Sequence, residues 1–248
     1  MHLLHGFAQP PAAWSDVVAY LDDDVRLEVE LCPTPGHDPA VPVGAGWEAT
    51  IDALAARLPR DAVAVGYSFG ARLALGLLAR DAVAGVVLIS VNPGLGDASA
   101  RAARIDEDRT WAARLREVGV EAFLDEWEAQ PLFLTQVRCP PERRQRRRAL
   151  RRSLEAEPLA DAMERLGLGA MPDLREALCA RAARAHLVVG ADDAKFRAIA
   201  AGLREQCPEL AVEVIEESGH DPTIEAPEAL ALAIGRAVAR LAPPAVEA

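Results

Sequence analysis

The sequence predicts an α/β fold: a mostly parallel central sheet flanked by helices, with an inserted helical cap. Three features predict it. Short, almost wholly apolar runs such as Asp61-Ala-Val-Ala-Val65 and Gly85-Val-Val-Leu-Ile89 have the character of strands buried on both faces. These runs alternate with segments whose apolar residues recur at helical spacing, the order that wraps helices around a parallel sheet. The alternation then stops for a long arginine- and alanine-rich stretch and resumes near the C-terminus, as an insertion between two strands requires.

Taken in order, His2-Leu-Leu-His-Gly-Phe7 reads as a very short strand running into a turn, followed by a helix over 12–21. Val25, Leu27, Val29 and Leu31 alternate as in a strand, and Cys32-Pro-Thr-Pro-Gly-His-Asp-Pro39 is a loop rich in breakers. Trp47, Ile51, Leu54, Ala55 and Leu58 share one face of a helix over 47–58. The strand ending at Val65 meets Gly66-Tyr-Ser-Phe-Gly70, and a helix continues through Leu73, Ala74, Leu77 and Leu78. The strand 85–89 closes at Asn92-Pro-Gly94. No strand pattern appears from about 97 to 184; helices are expected over 98–118, 120–129, 141–155, 158–167 and 173–183, punctuated by prolines. Ala185-His-Leu-Val-Val-Gly190, a helix to Gln206, a strand over 211–215 and a last helix over 227–241 complete the pattern, with a frayed tail over 242–248. The division is therefore a core of 1–96 and 185–248 with a helical cap of 97–184.

Composition limits the function. A chain of 248 residues with 51% hydrophobic content suits one large domain with a subdomain inserted. A net charge of −11 argues against nonspecific binding to nucleic acid or anionic membranes. Cys32, Cys139, Cys179 and Cys207 are widely spaced, form no metal-ligand pattern, and are expected as free, mostly buried thiols. Neither a metal nor a cofactor is expected. The first residues lack the character of a signal peptide and no run is long enough to span a membrane, so the cytoplasm is the expected location. Monomer and homo-oligomer both stay open.

Gly66-Tyr-Ser-Phe-Gly70 is a G-x-S-x-G between a strand and a helix, a turn that presents Ser68 for chemistry. A serine used as nucleophile or base needs an imidazole, and the imidazole needs an acid to fix its tautomer. Of the five histidines, His220 alone follows the last strand, in Ser218-Gly-His-Asp221. His186 lies within a strand pattern, His37 in the proline-rich loop, and His2 and His5 precede the turn. The acid is Asp193, with Asp192 beside it as the alternative. Backbone N–H groups of Phe69 and Phe7 would form an oxyanion hole, while their rings fill core.

These residues resemble the α/β-hydrolase superfamily and, across nearly the whole chain, its menaquinone-pathway branch, the 2-succinyl-6-hydroxy-2,4-cyclohexadiene-1-carboxylate synthases (the MenH family). The resemblance rests on Leu4-His-Gly-Phe7 with Trp14, Val65-Gly-Tyr-Ser-Phe-Gly-Ala-Arg72, Pro93-Gly-Leu95, Arg101-Ala-Ala-Arg104 with Asp108-Arg-Thr-Trp111, and Phe123-Leu-Asp-Glu-Trp127 with Gln130-Pro-Leu-Phe133. It continues through Pro172-Asp-Leu-Arg175, Gly190-Ala-Asp-Asp-Ala-Lys-Phe196 and Ser218-Gly-His220. It implies an α/β-hydrolase fold and an elimination: a ring proton is removed and pyruvate expelled from a small polyanionic cyclohexene carboxylate. Ser68 would be the base, activated by His220 and oriented by Asp193. The resemblance also implies that Arg72, Arg104 and Arg151 hold carboxylates, as guanidinium groups do in bidentate fashion. Residues 138–152 contain eight arginines, mostly a solvated face, and Arg148 or Arg152 stands as the alternative to Arg151. Tyr67 and Trp127 match pocket residues or else core. Lys195, the only lysine, matches a family position or else makes a surface ion pair.

Three departures bear on substrate fit. The chain starts almost at the oxyanion turn, without the strand pair usual before it. Asn92 stands where relatives commonly have histidine or serine, and Asp221-Pro-Thr-Ile224 differs after His220. Competing functions are a carboxylesterase working through an acyl-enzyme and a ligand receptor on the same fold.

Overall fold

Strand order places the catalytic loops. In the computed structural model, which describes residues 1–21 and 29–241, six strands form one sheet. β1 (His2–Leu4) lies between β2 (Glu30–Cys32) and β3 (Val63–Tyr67), and β4 (Gly85–Ile89), β5 (Ala185–Gly190) and β6 (Ala211–Ile215) follow outward from β3. Every neighbouring pair is parallel, with Leu3 opposite both Leu31 and Val65, and Val188 opposite both Ile89 and Glu213. Parallel strands must be joined by crossovers. These are α1 (Ser15–Val18), α2 (Trp47–Ala55), α3 (Phe69–Ala79), the helical insertion, and α8 (Ala194–Gln206); α9 (Pro222–Glu225) and α10 (Pro227–Leu241) close the chain.

The period-two geometry of the strands divides the core into two layers. Ala64, Val86, Leu88, Leu187 and Val189 face α2, α3 and α8. Leu3, Val65, Val87, Ile89 and Val188 face Trp14, Val17 and the Leu230–Leu241 side of α10. Leu73, Leu75, Leu77 and Leu78 of α3 are all fully buried. Each such side chain contributes roughly 1.5–3 kcal/mol relative to exposure, so the helix carrying Ser68 at its start is among the most firmly anchored.

Residues 97–184 contain no strand. α4 (Ala98–Glu128) joins the two expected helices into one run with a kink at Gly119, whose φ of 74° suits glycine. A 3₁₀ stretch over Pro131–Arg138 was not legible, and α5 (Pro141–Leu150) ends earlier than expected, passing into a 3₁₀ turn over Arg151–Ser153. α6 (Ala156–Leu166) packs along α4 around Ala112, Leu115, Phe123, Leu124, Leu159 and Met163. α7 (Arg175–Cys179) is one short turn followed by 3₁₀ residues Ala182–Arg184, not a helix over 173–183.

Other expectations need correction. The first helix is a 3₁₀ turn over Pro11–Trp14 followed by four α-helical residues, Ser15–Val18, instead of one α-helix over 12–21. Positions 25 and 27 of the expected strand, and the tail 242–248, lie outside the described residues. Cys179 and Cys207 are joined in a disulfide, their Cα atoms 5.2 Å apart, instead of being free. They are 28 residues apart in sequence, and only the packing of α7 beside the end of α8 brings them together. Cys32 and Cys139 are free and buried. Among the described residues no helix is long and apolar enough to cross a membrane.

Candidate active site

β3 ends at Tyr67 and α3 begins at Phe69, so the chain reverses at Ser68 with φ 50° and ψ −103°. A non-glycine residue held there costs on the order of 1–3 kcal/mol. The turn closes because its glycines are bare: a Cβ at Gly66 would strike the Gly70 carbonyl, and one at Gly70 the Leu4 carbonyl oxygen. The Ser68 N–H is fixed by the Ile89 carbonyl at 2.9 Å.

His220 follows β6 and Asp193 follows β5, both at the carboxyl ends of the sheet. The His220 ring places Nε2 3.2 Å from Ser68 Oγ and Nδ1 2.8 Å from Asp193 Oδ2. A carboxylate accepts only, so Nδ1 carries the proton and Nε2 is left to accept from the serine hydroxyl. The other Asp193 oxygen accepts from Phe196 N–H at 3.1 Å and caps α8. Asp192 instead pairs with Arg138 at 2.6 Å and is exposed, so geometry separates the two adjacent acids. Ser90 donates to the His220 carbonyl at 2.8 Å, and the Phe196 ring lies 4.4 Å from the imidazole centroid. The dyad is nearly sealed: His220 is 2% and Asp193 5% exposed.

Ser68 opens into a cavity of about 540 Å³ between the sheet and the insertion, lined by Phe7, Phe69, Arg72, Arg104, Trp127 and Arg151 among others. Phe7 follows the turn after β1 and Phe69 opens α3. Both line the cavity with Ser68, and their rings meet edge to face at 6.2 Å. Trp127 is both cavity wall and packed residue, stacked on Phe123 at 5.4 Å. Tyr67 is buried against α10 with its ring 5.6 Å from His220, and burial with the nearby Asp221 and Glu225 pushes its hydroxyl well above the usual phenol range. Lys195 stands exposed at the cavity, 5.7 Å from the Phe196 ring, and forms no ion pair among the described residues.

The three arginines are not equivalent. Arg104 is paired with Asp108 at 2.8 Å, and burial raises the Asp108 carboxyl from its ordinary value. Arg151 is buried against Glu128, its Nε has no partner among the described residues, and burial lowers its guanidinium. Arg72 has no carboxylate partner among the described residues. It donates to the Leu166 carbonyl at 2.7 Å, and burial together with Arg104 lowers it to about 10. It stays charged at neutral pH, and of the three arginines it is the one that lacks an acidic partner among the described residues. Of the alternatives to Arg151, Arg148 is tied to Glu121, Asp125 and Glu128, and Arg152 is exposed; neither lines the cavity.

Residues 3–233 match the Alpha/beta hydrolase family. The 2-succinyl-6-hydroxy-2,4-cyclohexadiene-1-carboxylate synthase of Escherichia coli O17:K52:H18 is 33% identical over 231 residues, covering 90% of this chain and 87% of that protein. The chain belongs to the α/β-hydrolase family, in the branch of these synthases. The solved structure of MenH from S. aureus superposes with a TM-score of 0.87 at 24% identity over 96% of this chain and 92% of that one. A thermophilic esterase from Thermogutta terrifontis superposes at 0.78 with 26% identity, covering 98% and 90%.

Several residues of this synthase-like site were missed in the sequence. Asp108 was legible as the i+4 partner of Arg104. Glu128, next to Trp127, gave no signal of facing inward. His37, placed by the sequence only in the proline-rich loop after the second strand, supports the turn after β1: its Nε2 accepts the Ala8 N–H at 2.9 Å, and Ala8 takes a φ of 53°. His5 Nε2 in turn accepts from Thr34 N–H at 3.1 Å. Both rings are therefore neutral, and burial lowers His37 to about 4 and His5 well below its ordinary value. His2, Glu30 and Cys32 bring their ligand atoms within 4.8 Å of one another on β1 and β2, a cluster that spacing did not reveal; none of the three lines the cavity.

Proposed function

We propose that the chain is a lyase of menaquinone biosynthesis. It eliminates pyruvate from 2-succinyl-5-enolpyruvyl-6-hydroxy-3-cyclohexene-1-carboxylate, giving 2-succinyl-6-hydroxy-2,4-cyclohexadiene-1-carboxylate. The observation that carries this reading is the convergence of Arg72, Arg104 and Arg151 on the cavity into which Ser68 opens. A neutral ester needs no such set, whereas a substrate with several carboxylates does.

Ser68 Oγ gives its proton to His220 Nε2 and takes a ring proton from carbon. The C–H electron pair forms a double bond to the neighbouring ring carbon, the ring's original double bond shifts by one position, the ring C–O bond next to it breaks, and enolpyruvate leaves to become pyruvate on protonation. Asp193 holds the imidazole in the accepting tautomer and steadies the imidazolium formed in the step. The Phe7 and Phe69 N–H groups stabilise charge building on the succinyl carbonyl oxygen beside the acidic carbon. Arg72 grips the ring carboxylate, Arg104 and Arg151 the more distant ones, and Lys195 guides the anion at the entrance. Tyr67 and Trp127 wall the ring. Residues 97–184 act as the cap that closes this volume, and the reaction takes place in the cytoplasm.

A carboxylesterase reading is favoured by one observation, the likeness to the Thermogutta esterase at a TM-score of 0.78. The deciding experiment supplies the enolpyruvyl substrate, generated in situ, and follows pyruvate release. Folded protein that releases none while cleaving a simple aryl ester rapidly would overturn the lyase assignment.

A further inference from the structure

Arg147 stands in the arginine-rich helix α5 of the cap, where the other arginines are solvated or paired at the surface, yet it is only 5% exposed. Its Nη2 donates to the Ala13 carbonyl at 2.9 Å and its Nη1 to Thr223 Oγ1 at 3.1 Å. Nη1 also lies 3.5 Å from Asp221 Oδ2. Asp221 directly follows His220 and is 1% exposed. The same Asp221 oxygen accepts from Gln9 Nε2 at 3.0 Å, and Gln9 sits two residues beyond Phe7 on the oxyanion turn. The other Asp221 oxygen accepts the Thr223 N–H at 3.1 Å, which caps α9.

One buried cation thus joins three segments: the cap, the loop carrying the catalytic histidine, and the turn carrying an oxyanion donor. A carboxylate this enclosed needs a partner cation, because an unpaired buried charge is strongly destabilising. Without Arg147, Asp221 would have to turn toward solvent, and the adjoining His220 backbone and Gln9 would move with it. Neighbouring contacts reinforce the seam, since Arg143 donates to the Ile224 carbonyl at 3.0 Å.

We propose that Arg147 is a positioning residue: through Asp221 and Gln9 it sets the orientation of His220 and of the oxyanion turn, so that docking of α5 and assembly of the catalytic geometry are one event. The proposal rests on the triad assignment but not on the identity of the substrate. It is tested with Arg147→Gln, Asp221→Asn and the double variant, measuring kcat and KM for pyruvate release and the low-field proton resonance of His220 Nδ1–H.

Arg147→Gln should lower kcat by about tenfold or more with KM changed less than about threefold, and should shift or erase the low-field resonance, since the substitution removes a charge-assisted interaction with Asp221. Asp221→Asn alone should do the same by leaving the arginine unpaired. The double variant, neutral on both sides and able to hydrogen-bond, should recover kcat to within about threefold of the parent and restore the resonance. A kcat within about twofold of the parent and an unmoved resonance in Arg147→Gln would overturn the proposal, as would a defect that the second substitution does not relieve. If Arg147→Gln does not fold, Gln9→Met cuts only the arm to the oxyanion turn; an unchanged kcat there also refutes it. Parent protein that shows the resonance but releases no pyruvate counts against the substrate assignment alone.

Discussion

Replacing Arg72 with methionine separates a functional charge from a structural one. The guanidinium is lowered to about 10 from its ordinary 12.5, chiefly by burial and secondly by Arg104. A depression of that size corresponds to about 3 kcal/mol of charge burial left unrelieved, of which we count about half because the side chain faces an open cavity. Removing the charge recovers that amount, while the Leu166 carbonyl loses the donor now 2.7 Å away. Breaking that hydrogen bond costs about 1 kcal/mol. The two nearly offset, so thermal stability should stay within about 4 °C of the parent. Function should not. A charge-assisted contact to a substrate carboxylate is worth about 1.5–3 kcal/mol, so kcat/KM should fall between about tenfold and 150-fold. The assay couples pyruvate release to a dehydrogenase, alongside a thermal melt of the same preparation. A kcat/KM within about threefold of the parent would refute the role given to Arg72, and a melting point lowered by more than about 10 °C would make it a structural arginine instead.

Three further outcomes follow from the same geometry. Ser68→Ala should reduce pyruvate release at least about a hundredfold, the low end for removal of a general base, without loss of fold; retained turnover would remove the serine from the chemistry. Arg104→Ala should lower kcat/KM by more than about tenfold because it strips a cation and also bares Asp108; adding Asp108→Asn should restore part of the activity, and no recovery would argue against that pairing. Burial holds His37 at about 4 in the native state against 6.5 ordinarily. The unfolded chain takes up a proton on this ring as pH falls below 6.5 while the native ring stays neutral. The His37 contribution is therefore complete above 6.5 and is lost by about pH 4, some 3 kcal/mol in all. Urea unfolding between about pH 7 and 4.5 should show a shallower decline in His37→Gln than in the parent, and equal slopes would contradict the neutral, buried ring.

The seam between α5 and the His220 loop gives these predictions a common physical setting. Ser68 is held by its own strand–turn–helix unit and by the adjacent strands β1 and β4, through Leu4 and Ile89, whereas His220 belongs to a loop whose neighbours come from the helical insertion and from the first turn of the chain. Perturbations at Gly66 or Gly70 should therefore damage the fold itself, through clashes with the Gly70 and Leu4 backbone. Perturbations at Arg147 or Gln9 should instead damage alignment.

The sequence by itself determined whatever depends on neighbours along the chain. The apolar runs of β3 and β4, the helical spacing of α3 and α10, and the glycines of the elbow are local constraints, and each element stands within a few residues of its expected place. The order serine, acid, histidine singled out Ser68 and His220 because parallel strands deliver their loops to one end of the sheet. Tertiary structure alone decided matters that turn on which side of a segment faces inward. The sequence favours Asp193 over Asp192, but only the packing gives each its partner, Arg138 for Asp192 and His220 for Asp193. Arg147 is indistinguishable in a run of arginines until α5 lies across the Asp221 loop. His37 becomes a support of the oxyanion turn, and Cys179 a partner of Cys207, only when segments distant in the chain meet. The same holds for charge: the residue pattern shows three arginines, but only their packing against Asp108, Glu128 and the Leu166 carbonyl leaves Arg72 as the one without an acidic partner among the described residues.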